Sequence, residues 1–183
     1  MNNQEIITAS EKMFKQFSET CSTINDTGIF ARPGDKWSVA ENIQHLIIST
    51  KMTTLAYRLP KFLVRWIGGG TANRNSRTYE EVKDKYYKKL SEGGRASGRF
   101  IPKPIEIKYG KEKLLQNWKV STAKYISSLN SKRTEADLDH YLAKHPLLGR
   151  ITLRELCYFT IFHTEHHLNS IQKTLTPSND PVL

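Results

Sequence analysis

Apolar positions recur along this chain at helical spacing in four long stretches, and no alternating apolar-polar run is long enough to predict a convincing strand pair. The first stretch spans about Asn3 to Thr23, with Ile6, Ala9, Met13, Phe17 and Cys21 on one side. The second begins at a capping box, Ser38 followed three positions later by Glu41, in which each side chain satisfies a backbone N–H that the helix leaves free. It runs to about Leu59, before Pro60, which cannot continue a helix. One side carries Val39, Ile43, Leu46, Thr50 and Tyr57, the other Ile48, Met52, Leu55 and Leu59, so the pattern predicts a helix buried on two faces. A third stretch, about Lys111 to Asn130, takes its apolar content from Leu114, Leu115, Trp118, Ala123, Tyr125, Ile126 and Leu129. The fourth starts at a second capping box, Thr152 and Glu155, and is expected to stop at about Leu175, ahead of Pro177.

Between Pro60 and Lys111 the periodicity fades. Gly68-Gly69-Gly70 and Gly93-Gly94 bracket a short charged helix at about Tyr79 to Leu90, and Pro102 and Pro104 impose an extended run. Four long helices joined by such a crossover predict an all-α protein, a four-helix bundle with a long crossover carrying a short extra helix, in one domain over residues 1–183.

Composition narrows the function classes. No apolar run reaches the roughly 20 residues that span a bilayer, and Met1 to Glu5 has neither the basic nor the apolar region of a secretory signal. Cys21 and Cys157 lie in no metal-ligand spacing and read as two small buried thiols, which predicts a reduced, cytoplasmic protein. The net charge of +10 attracts anions, yet Lys83, Lys85, Lys88 and Lys89 alternate with Glu80, Glu81 and Asp84 as on a solvated helix face, so nucleic acid is a minor expectation.

The chemistry concentrates in the histidines. His163 and His167 stand four apart on the last helix, about 40° apart around its axis and one turn apart along it, a spacing that lets two imidazoles take one ion. The inward stripe there is Leu153, Cys157, Thr160, Thr164, Leu168, Ile171 and Leu175. His167 falls near that stripe and His163 on its edge, while His166 points away and is expected at the surface. His45, inside the second helix with Met52 and Leu59, is the candidate third ligand for a divalent metal ion. Glu41 is a cap first, a ligand or ligand partner second. Cys157 reads as a structural thiol rather than a nucleophile.

The segment Trp37-Ser38-Val39-Ala40-Glu41-Asn42-Ile43-Gln44-His45-Leu46 resembles the opening motif of the DinB/YfiT-like superfamily, and His163 to Ile171 resembles its closing H-x-x-x-H motif. The run His145-Pro146 to Gly149, then Thr152 and Glu155, resembles the usual lead-in to the last helix, although Asn169-Ser170 replaces the more common Gly-Gln or Arg-Gln. The resemblance implies a four-helix bundle, often dimeric, with His45, His163 and His167 on one nickel or zinc ion. It also implies transfer of a low-molecular-weight thiol to a small substrate, related isomerisation, or metal-dependent hydrolysis. Arg65, Arg95 and Arg99 in the crossover are candidates to attract an anionic substrate. Two other readings stay open: a non-catalytic metal-stabilised bundle acting as a binding or stress-response protein, and a metal-free hydrogen-bonded histidine core.

Overall fold

The structure, a computed structural model, describes residues 1–131 and 133–175. Within them lie eight α-helices and one hairpin: α1 (Asn3–Thr23), α2 (Asp26–Phe30), α3 (Val39–Arg58), α4 (Lys61–Gly68), α5 (Tyr79–Ser91), α6 (Lys111–Ser131), α7 (Glu135–His140), β1 (Leu142–His145), β2 (Gly149–Thr152) and α8 (Leu153–Leu175). The protein is an all-α bundle of α1, α3, α6 and α8, as the periodicity predicts. Pro177, the expected stop of the last helix, lies outside the described residues.

Hydrogen bonds between the long helices set their directions. The α-amino group of Met1 reaches Tyr158 Oη (3.1 Å) and Arg154 reaches the Met1 carbonyl (2.8 Å), so α1 and α8 start together and run parallel. Asn3 bonds the Leu129 carbonyl (3.0 Å) and Trp118 Nε1 bonds Ser18 Oγ (3.0 Å), which makes α1 and α6 antiparallel. Tyr57 Oη donates to the Leu153 carbonyl (2.9 Å), joining the end of α3 to the start of α8. The order is therefore up, down, down, up, with α3 and α6 parallel neighbours. Parallel neighbours cannot be joined by a tight turn. The chain must return the length of the bundle between them, and that is the reason for the long crossover.

The core follows from the helix faces. Ile6, Ile7, Phe14, Phe17 and Cys21 of α1 are buried, with Ala9 and Met13 only partly so. Phe14 and Phe17 pack their rings on Trp118 of α6 at 5.3 and 5.1 Å between centroids. Both cysteines are buried and free.

Three expectations need correction. The expected absence of strands fails at residues 142–152, where β1 and β2 pair antiparallel from Leu142–Thr152 to His145–Gly149. Strands of four residues show too little alternation to be seen. The turn is held by His145, whose Nδ1 accepts from the backbone N–H of Leu147 and Leu148 (3.2 and 3.1 Å), and by Gly149 at φ +74°. The second face of α3 is not core: Leu55 is 46% exposed and Met52 and Leu59 are half-buried, because they line an open cavity. The surface position expected for His166 is half-buried, since α5 folds back over α8 and sets Tyr86 and Tyr87 edge-on to its ring (6.0 and 5.8 Å). A helical wheel of α8 alone contains nothing about what the crossover covers.

Candidate metal centre

Both helices that carry the histidines are positioned at their starts. Ser38 and Glu41 form the capping box of α3, with Ser38 N–H donating to Glu41 Oε2 (2.8 Å) and Glu41 N–H to Ser38 Oγ (3.1 Å). Arg32 grips the same carboxylate through Nε and Nη2. Burial works to raise the Glu41 pKa, but the bonds from Arg32 and Ser38 outweigh it and hold the group below the usual carboxylate range. Glu41 is thus a cap. On α8, buried Glu155 accepts from Thr152 N–H (3.0 Å), from Arg77 N–H (2.7 Å) and from both terminal nitrogens of Arg74 (2.6 and 2.8 Å). These bonds tie the crossover to the first turn of α8.

The packing of α3 against α8 brings His45, His163 and His167 together, all buried, with potential ligand atoms within 4.8 Å of one another. His163 Nε2 lies 3.1 Å from both His45 Nε2 and His167 Nε2. The outer nitrogens of two rings are anchored: His45 Nδ1–H donates to the Phe100 carbonyl (2.6 Å) and His167 Nδ1–H to Asn42 Oδ1 (2.6 Å). Asn42 cannot turn its amide round, because its Nδ2 donates to the Ser38 carbonyl (2.8 Å). These bonds fix the tautomer of His45 and His167 and leave both Nε2 lone pairs aimed at His163, the arrangement that outer partners give metal-ligating histidines.

Electrostatics agree with this geometry. Burial holds His163 and His167 well below the usual histidine pKa, and the neighbouring imidazoles push the same way. Burial also lowers His45, against the Phe100 carbonyl, which favours its charged form. All three rings are neutral at pH 7. One neutral His163 owns a single ring proton. Placed on Nε2, it can donate to only one of the two 3.1 Å partners and leaves the Nε2 lone pair of the other without a donor. A cation at the common focus accepts all three lone pairs at once. Two bonds of about 2.1 Å at roughly tetrahedral or right angles place their nitrogens about 3.0–3.4 Å apart, which matches the observed spacing. The three side chains therefore fit a divalent metal ion.

Aromatic walls support the rings. Trp37 lies parallel to His167 at 6.2 Å between centroids, and Phe159 stacks on His163 at 4.5 Å. Behind Phe159 stands His145 (4.2 Å), its pKa lowered to about 4 by burial and by Lys85. The trio opens on a cavity of about 1050 Å³ whose lining includes Arg95 and Arg99, whereas Arg65, on α4, is not part of that lining. The crossover thus covers the site, and Phe100 touches it through a backbone carbonyl. Asn42, Trp37, Phe159 and Phe100 were not predicted as parts of the centre. Asn42 carries a local signal, one turn before His45 and one after the cap Ser38. Phe100, 55 residues from His45, carries none.

A family model described as the DinB superfamily matches residues 9–171. No curated protein and no solved structure matches this chain.

Proposed function

The chain belongs to the DinB superfamily, and from that membership we propose that His45, His163 and His167 hold one nickel or zinc ion in a metal-dependent enzyme, one that activates water or a low-molecular-weight thiol for hydrolysis of, or thiol transfer to, a small substrate. The observation that carries the reading is the convergence of three neutral Nε2 atoms on one point at the wall of a large cavity. An ion bound there supplies Lewis acidity that lets water or a thiol lose its proton near neutral pH.

The protein's own groups do the rest. Phe100 and Asn42 orient two of the rings and keep their Nε2 atoms unprotonated. Trp37 and Phe159 shield the rings from bulk water on two sides. Lys36, Arg95 and Arg99 favour an anionic reactant in the cavity. A purely structural site is sealed by a fourth protein ligand. Among the described residues the cluster has three donors, and Glu41, the nearest acidic candidate in sequence, is taken by Ser38 and Arg32. That favours catalysis over a metal that only fixes helix packing. No helix is long and apolar enough to cross a membrane. Two free buried thiols fit a reducing compartment, and we place the protein in the cytoplasm. Assembly as a homodimer and use of a thiol co-substrate follow from the family resemblance.

Elemental analysis of untagged protein beside His45→Ala tests the reading. About one nickel or zinc per chain, lost in the variant, supports it. Wild-type protein that retains no metal after incubation with both ions and removal of the excess refutes it.

A further inference from the structure

The cavity is much larger than water and a small thiol require. At about 1050 Å³ it sits at the upper end of ligand pockets, which run from about 300 to 1,000 Å³. It is also long. Along α3 its wall continues from His45 to Leu59, about 20 Å at roughly 1.5 Å per residue. Along this wall the side chains change character with distance from the histidines. Ser49 and Thr53, the nearer polar ones, are already engaged with His163 and with the Ser49 carbonyl and Thr160. Between them Met52, and beyond them Leu55 and Leu59, line the cavity together with Val64 and Ile67 of α4.

That far end is greasy out to solvent. Leu55 and Ile67 are 46% and 47% exposed, and on the same short helix Phe62 and Trp66 are 69% and 78% exposed. The charged lining is unbalanced the other way: Lys36, Arg95, Arg99 and Lys144 face the cavity against Asp35, while Arg32 is held by Glu41. Among the described residues none of those four cations is in an ion pair; Arg95 bonds only the neutral carbonyls of Leu90 and Gly94. Lys36 adjoins Trp37 and Arg99 adjoins Phe100, and both neighbours touch the histidine rings. The cavity is thus cationic beside the histidines, at Lys36 and Arg99, and mainly apolar toward α4, where Lys144 of β1 is the one cation in its lining.

We propose that the ligand of this cavity is an anionic amphiphile with one long alkyl chain, its acidic head at the histidines among Lys36, Arg95 and Arg99 and its tail along α3 toward Leu59 and Ile67. The head position rests on the metal-site reading above; the tail channel does not.

The test is calorimetric titration of the full-length protein with octanoate, decanoate, dodecanoate and tetradecanoate below their micelle concentrations, with dodecanol beside dodecanoate. Affinity is expected to rise about three- to fourfold for each added methylene, since each is transferred from water to an apolar wall. Dodecanol is expected to bind about tenfold more weakly than dodecanoate, for want of the charged head. Leu55→Glu and Ile67→Glu, both at half-exposed positions that tolerate charge, are expected to remove most of the chain-length dependence. Affinity that stays flat along the series overturns the tail channel, as does an undiminished slope in both variants. Equal binding of alcohol and acid overturns the anionic head. Metal content is measured on the same samples: chain-length-dependent binding by protein that takes up no metal leaves the channel standing and sinks only the metal reading, and a loaded site with a flat series does the reverse.

Discussion

The α3–α8 seam buries two polar clusters, six residues apart along α8, and only one of them has the makings of a reactive centre. At one, Tyr57 Oη lies 2.9 Å from the Leu153 carbonyl and 2.7 Å from Cys157 Sγ, with both side chains wholly enclosed. At the other, His45, His163 and His167 turn their outer nitrogens to the protein and their inner ones to each other beside a cavity. In the first, Tyr57 Oη is satisfied within the protein by the Leu153 carbonyl and Cys157 Sγ. In the second the partners are placed so that satisfaction is left incomplete at one shared point. Burial of polar atoms is common to both; what separates them is where the unspent lone pairs point.

The most forceful way to break the comparison is His163→Ala. At an ion concentration near a thousand times the dissociation constant, a site that binds only the folded state adds about 4 kcal/mol of stability. Calorimetric melting with and without nickel or zinc should show that gain in the wild type and its loss in the variant. A melting shift that survives the substitution removes His163 from the centre.

The two clusters should next separate by pH in metal-free protein. His145, behind the centre, has its pKa lowered from 6.5 to about 4, so as pH falls through that range the unfolded chain takes a proton that the folded one refuses. Stability present above pH 6.5 is then lost by about 3 kcal/mol. His45, His163 and His167 add loss in the same direction. Cys157 is raised from 9.0 to about 11, chiefly by burial, so its contribution is intact below pH 9 and falls by about 3 kcal/mol as pH rises to 11. Urea unfolding across pH should give a plateau with an acid limb owed to imidazoles and an alkaline limb that Cys157→Ala shortens. A profile flat down to pH 4 contradicts the enforced neutrality of the rings.

Smaller effects sharpen the contrast. Asn42→Ala removes the acceptor that orients His167 and should weaken ion affinity about 10- to 100-fold with helix content unchanged. Undiminished affinity by competition with a chelating dye would make that hydrogen bond irrelevant to the ion. Tyr57→Phe should cost about 1 kcal/mol of stability in denaturant unfolding and leave ion affinity alone. Coupled loss of ion binding there would show that the two clusters are one unit.

Much of this arrangement is readable in one dimension. The four long helices follow from apolar spacing and from the Ser38–Glu41 and Thr152–Glu155 caps, all of which act within about four residues. The His163–His167 pair is local for the same reason, and His45 stands out as a titratable side chain within an apolar helix. The short elements α2, α4, α7 and the hairpin escape because each is too brief to repeat a pattern and is held by packing. Gly68 illustrates this: a Cβ there would lie 2.0 Å from the Leu142 carbonyl, a contact between segments over seventy residues apart.

The sequence by itself determined which three histidines to bring together and the helices on which they ride, since periodicity, capping and i, i+4 spacing are properties of neighbouring residues. Only the tertiary structure decided that the second face of α3 is a cavity wall, that α5 covers His166, and that the Phe100 carbonyl holds His45. The physical reason is that these features arise where the crossover lies against the bundle. Long-range packing sets its path, and the decisive contact is made by a backbone oxygen that every residue possesses.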